Sequence, residues 1–210
     1  GQASWLFPGG DAEPRVGGSA WGGHVVTAWE PGSRYGVRAE GPDGWFNALE
    51  HELEALDGGR VRLRYAHSGV FADDWDSQLD AAGVHTDFYL HTLGEYLRRF
   101  APRGAAYASA MGPAATAAPD ALARVAALIG VGEAAVGEAV RVEVPGLPTA
   151  AAVVDYRTAS FLGLRTDDAL LRLFARGTWG HPLQAAHHLF APDADAAAVG
   201  TAWGRLLESA

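Results

Sequence analysis

The feature that most constrains this chain is a two-residue alternation repeated over residues 45–55 and 60–69. In the first run Asn47, Leu49, His51 and Leu53 alternate with Ala48, Glu50, Glu52 and Glu54. In the second, Val61, Leu63, Tyr65 and His67 alternate with Arg60, Arg62, Arg64 and Ala66. A period of two belongs to a strand, because successive side chains point to opposite faces. Asp57-Gly58-Gly59 between the runs closes a hairpin. Paired antiparallel, the two strands set a row of Glu opposite a row of Arg, worth about 0.2–1 kcal/mol per pair. A slip of one residue would carry those charges to the covered face, so the pattern fixes the register.

The neighbouring segments extend the sheet. Residues 24–29 read as a strand stopped by Glu30-Pro31-Gly32, and 33–40 alternate Tyr35, Val37 and Ala39 with Arg34, Arg38 and Glu40. Gly41-Pro42-Asp43-Gly44 is a strong turn. The result is four antiparallel strands with one wet and one covered face. A short helix over 74–81, capped from Asp73, Asp74 and Asp76, leads to a helix over 84–100. Tyr89, Leu93, Tyr96, Leu97 and Phe100 make its apolar stripe, Arg98 and Arg99 suit its last turn, and Pro102 ends it.

Residues 1–23 are Gly-rich and irregular, anchored by Trp5, Leu6, Phe7 and Trp21. Residues 103–120 have the composition of a linker or a short strand around Tyr107 and Met111. Residues 121–210 form a second α+β set: a helix over 121–129 capped by Asp120, then strands over 139–144, 151–156, 160–166, 170–176 and 183–190. A closing helix carries Val199, Trp203, Leu206 and Leu207, capped by Asp193 or Asp195. Both halves run antiparallel strands and then an amphipathic helix, a weak repeat of element order.

Composition sets outer bounds. With 210 residues, 49% of them hydrophobic, the chain can bury a real core, and disorder is excluded as its main state. It has no Cys, hence no disulfide, thiolate metal site or Cys nucleophile. The net charge is −9 and all 16 basic residues are Arg. So acidic a chain is a poor generic binder of nucleic acid, and without Lys there is no Schiff-base chemistry. The Arg, Ala and Gly bias fits a GC-rich, bacterial genome. No run is long and apolar enough to span a bilayer, and no signal-peptide pattern opens the chain, so a cytoplasmic location is expected.

The covered face of residues 45–69 carries Asn47, His51, Tyr65 and His67 among apolar Leu49 and Leu63; Trp29, Tyr35, Trp75, Phe88, Tyr89 and Leu93 are the other candidate ligand contacts. A mostly apolar surface with a few convergent polar groups is the usual small-molecule site. The plainer reading of each His and Tyr is a core residue with satisfied hydrogen bonds. No metal site is expected: His187 and His188 are adjacent on a strand and point to opposite faces, and His181 completes no ligand spacing. Ser68, Ser109 and Ser160 sit in no nucleophile elbow, and the paired Gly at 9–10, 17–18 and 22–23 open no phosphate loop.

Val26-Thr27-Ala28-Trp29-Glu30-Pro31, then Arg64-Tyr65-Ala66-His67-Ser68-Gly69-Val70-Phe71, Asp74-Trp75 and the helix over 88–97 come in the order and spacing of one known family. In these motifs the chain resembles the SRPBCC, or START-like, superfamily, most closely the branch named after activators of a heat-shock chaperone ATPase. The likeness covers residues 1–102. Residues 103–210 resemble the extra half of long bacterial members through Val154-Asp155-Tyr156, the run 161–167 and His187-His188-Leu189-Phe190. The resemblance implies a helix-grip (birch-pollen-allergen-like) α+β fold: a curved antiparallel sheet around a long C-terminal helix with a cavity between. Family members begin with a strand and two short helices that residues 1–23 do not supply, which implies an open sheet edge for some segment to cover.

The function expected on this reading is non-catalytic binding of a small lipophilic or aromatic ligand, with no cofactor. The alternatives are a START-like cyclase or hydrolase using His51, Tyr65 or His67 as acid–base groups, and a module that contacts a chaperone. The extra half is also a candidate homodimer surface.

Overall fold

The computed structural model describes residues 12–69 and 75–210, with side chains from 12–69 and 80–210. The Asp73, Asp74 and Asp76 caps, the side chain of Trp75 and the anchors at 5–7 lie outside the described residues. The described residues form an α+β arrangement of two antiparallel sheets and three α-helices, compatible with a helix grip. It divides into two compact units, meeting in sequence at Asp80 and Ala81.

The first unit is a meander of β1 (Val25–Glu30), β2 (Arg34–Glu40), β3 (Phe46–Leu56) and β4 (Arg60–Gly69). Its register is the one the charge rows require: Glu52 lies opposite Arg64 and Glu54 opposite Arg62. Arg62 Nη1 donates to Glu54 Oε2 at 2.6 Å and Arg64 Nη1 to Glu52 Oε2 at 3.2 Å. The hairpin between them turns on Gly58 and Gly59, both at positive φ, a backbone conformation that residues with a Cβ rarely adopt. Val26, Val37 and Ala39 are the buried apolar residues of this sheet. The β1 edge is partly covered: Gly17 N–H donates to Val26 O, and Val26 N–H to Gly18 O, both at 2.8 Å.

The second unit holds most of α1 (Trp75–Arg99), then β5 (Ala106–Met111), α2 (Ala121–Leu128), β6 (Ala139–Val142), β7 (Ala150–Arg157), β8 (Phe161–Arg165), β9 (Ala169–Phe174), β10 (Gln184–Leu189) and α3 (Ala196–Glu208). The strand order is β5-β10-β9-β8-β7-β6. Residues 106–111, a linker or strand on sequence grounds, form an edge strand paired with β10 along its full length. Leu162, Leu164, Leu171, Leu173 and Ala185 bury one face of the sheet against Val125 of α2 and Trp203, Leu206 and Leu207 of α3. Phe161, Phe174 and Ala186 bury the other face against Phe88 of α1. Each such large side chain contributes about 1.5–3 kcal/mol by leaving water. With helices on both faces, β8 and β9 read as near-continuous apolar runs rather than alternations. Asp195, not Asp193, caps α3, its carboxylate accepting from Ala198 N–H at 2.9 Å. Asp120 stands before α2 but makes no cap hydrogen bond; Arg124 bridges to it instead.

Two expectations about α1 are corrected. The short helix at 74–81 and the helix at 84–100 are one continuous element. Among its described side chains the buried ones are Phe88, Thr92 and Glu95, with Phe100 just past its end, while Leu97 is 60% exposed. That buried face meets the six-stranded sheet, whereas the sequence reading gave this helix to the sheet at 24–69. The physical reason is a polar pairing that an apolar stripe does not reveal. Thr92 and Glu95 are buried because the sheet offers each an arginine.

Candidate functional site

The first unit gathers a row of rings. Because Trp29 lies opposite Tyr35, Tyr35 opposite His51 and His51 opposite Tyr65, the four side chains stand in one line across all four strands. Neighbouring centroids are 5.7, 6.0 and 5.0 Å apart, within the range of favourable aromatic pairs. Every ring in the row is half-buried. Leu49 and Leu63 flank it on the same face. At its margin His67 Nε2–H donates to Asn47 Oδ1 at 3.0 Å, which places a polar pair beside the rings. Burial lowers the His51 pKa below its ordinary value, opposed by a hydrogen bond with the Tyr35 backbone, and burial raises Tyr35. Both side chains are therefore neutral near pH 7.

Eight of the twelve sequence-derived candidates thus share one sheet face: Trp29, Tyr35, Asn47, Leu49, His51, Leu63, Tyr65 and His67. Phe88 and Tyr89 instead join the ring cluster of the second unit, Phe88 at 4.7–5.1 Å from Tyr156, Phe161 and Phe174, and Tyr89 at 5.8 Å from Phe174. Leu93 is half-buried on α1.

Sequence reasoning missed a buried ionic cluster in the second unit. Arg172, 1% exposed, makes a bidentate pair with Asp155 at 3.1 and 2.8 Å, and its Nε donates to Thr92 Oγ1 at 2.8 Å. The Leu164 and Leu171 carbonyls take further bonds from its Nη1. Burial pushes the Asp155 carboxyl up, but His91 at 3.6 Å and the guanidinium outweigh it and hold it below the usual range. Gly163 makes this fit: a Cβ there would press on Asp155, Tyr156 and Arg172. The three guanidinium nitrogens of Arg172 are all engaged by Asp155, Thr92 and sheet carbonyls, so the cluster reads as a docking device for α1.

His187 and His188 point to opposite faces as expected, but both are sealed in. His187 Nδ1 accepts from Arg172 N–H at 3.1 Å, so its proton sits on Nε2, facing the Trp203 ring at 4.5 Å. Burial lowers its pKa to about 3, and that of His188 to about 4. Among the described residues no group of His, Asp and Glu is arranged to hold a metal ion, and no helix is long and apolar enough to cross a membrane.

No protein-family model and no curated protein matches this chain. Among solved structures, DynU16, a protein of the dynemicin biosynthetic locus, is similar over 93% of this chain and 84% of its own, at 15% identity and a TM-score of 0.32. A likeness that slight assigns no chemistry.

Proposed function

We propose that the first unit binds a small lipophilic or aromatic molecule on its ring-lined sheet face, without catalysis. The observation that carries this is the unbroken row Trp29–Tyr35–His51–Tyr65, which presents stacked apolar area beside the hydrogen-bonding His67–Asn47 pair. Aromatic area supplies affinity, and a few fixed polar groups supply orientation. The finer assignment, a two-part START-like protein, draws support from the second unit. There a first strand pairs with the last of an antiparallel meander and a closing helix packs on the sheet, the order a helix grip requires.

Calorimetric titration of the chain with a panel of flavonoids, polyketide phenols and long-chain fatty acids tests the proposal. We expect saturable binding of at least one class, weakened about tenfold in Tyr35→Ala and Tyr65→Ala, since losing a ring removes both stacking and buried area. Absence of saturable binding across the panel, or binding indifferent to both substitutions, contradicts it.

A further inference from the structure

The hairpin that carries the ring row runs on beyond it. Strand β2 pairs with β3 only as far as Arg34 opposite Glu52. Past that point Leu53 stands opposite Leu63, and Ala55 opposite Val61. Strand alternation puts these four on the face of His51 and Tyr65. None of them is buried: Leu53 is 43% and Val61 62% exposed, Ala55 is exposed and Leu63 half-buried. The carboxylates and guanidiniums of the two strands all stand on the reverse face, where Arg62 pairs with Glu54 and Arg64 with Glu52.

From base to tip, the ring face of the hairpin changes its chemistry in order. Asn47 and His67 supply the polar pair, His51 and Tyr65 the rings, and Leu53, Leu63, Ala55 and Val61 an aliphatic strip. The Ala55–Val61 row lies four residues beyond the His51–Tyr65 row, about 13 Å at the rise of a strand. A ribbon of two strands gains little from its own pairing in water. Contiguous aliphatic side chains left open mark a surface that something apolar covers. Because the strip continues the ring row without a break, the molecule seated on the rings is the occupant it fits.

We infer, resting on the ring-row reading, that the guest of the first unit is an amphiphile with a fixed order of parts. Its polar head sits at the His67–Asn47 pair and its aromatic ring on His51 and Tyr65. An unbranched alkyl tail lies along Leu53, Leu63, Ala55 and Val61. A compact aromatic leaves the strip uncovered, and a bare fatty chain leaves the rings without a stacking partner.

The test titrates the full chain with 4-methylphenol, 4-butylphenol and 4-octylphenol, followed by NMR. A methylene taken fully out of water improves affinity about fourfold, so one laid on an open face and half-covered improves it about twofold. We expect 4-octylphenol to bind about thirtyfold tighter than 4-methylphenol or better, with 4-butylphenol between them. Combining Leu53→Gln with Val61→Gln cuts that ratio to about fivefold or less and leaves 4-methylphenol binding unchanged. Tyr65→Ala weakens all three phenols and keeps the ratio. A ratio that persists in the double variant overturns the tail assignment. So does a ratio near unity while 4-methylphenol still binds and is weakened by Tyr65→Ala, a result that leaves the ring row standing. No saturable binding of any of the three overturns the tail assignment and the ring-row reading together. A ligand-free chain that sediments as a dimer, but as a monomer in the double variant, gives the strip to a second copy and overturns it too.

Discussion

At the scale of single residues, the two adjacent histidines of β10 define how this protein responds to acid. Burial keeps His187 and His188 neutral in the folded chain, at pKa values of about 3 and 4, against about 6.5 when unfolded. A lowered folded pKa means that the unfolded state binds protons first. Their contribution is fully present above about pH 6.5 and is lost as pH falls from there toward 4 and then 3. Each histidine adds a slope of up to about 1.4 kcal/mol per pH unit inside its window. His51 and His85, lowered in the same direction, add to it. Replacing His188, whose two ring nitrogens are buried without hydrogen-bond partners among the described residues, by Leu is expected to leave stability at pH 7 unchanged or raised. It is also expected to flatten the loss between pH 6.5 and 4. Urea midpoints across that range check this, and an unchanged pH slope in His188→Leu contradicts it. Sequence placed these rings on opposite faces. It could not show that both are sealed in, because the covering residues, Trp203 and Tyr107, come from segments 16 or more residues distant in the chain.

At the scale of elements, legibility depended on whether charge or burial wrote the pattern. The β3–β4 hairpin was readable to within one residue, 45–55 against Phe46–Leu56 for β3, because its Glu and Arg rows each need solvent and each other. The cross-strand ring row followed from the same register. The docking of α1 was not readable, since the helix is held by buried polar groups that a search for apolar stripes passes over. Arg172 ties β9 to Asp155 of β7 and Thr92 of α1, and Arg165 of β8 pairs with Glu95 of α1 at 3.1 Å. Removing one partner strands the other charge out of water, which costs about 3–5 kcal/mol. Arg172→Met is therefore expected to lower the unfolding free energy by that amount, and adding Asp155→Leu to restore much of it. A loss below about 1 kcal/mol in the single variant, measured by urea unfolding, would show that the pair does not hold α1.

At the scale of the whole molecule, the chain combines two sheets whose buried faces were written differently. The four-stranded sheet keeps few residues fully buried and spends its covered face on rings and a polar pair. The six-stranded sheet is filled on both faces by aliphatic and aromatic side chains. That contrast separates a unit with surface to offer a guest from one whose stability comes from packing. The strand content of both was visible in sequence, as was the α+β class. The division near residue 80 was not, because it falls inside a continuous helix with no break in composition. The most direct measurement is an NMR titration of the aromatic-labelled chain with a neutral flat ligand taken from the binding panel. Saturable shifts at Trp29, Tyr35, His51 and Tyr65 are the predicted result. Shifts confined to residues 81–210, with those four rings unmoved, would contradict the account.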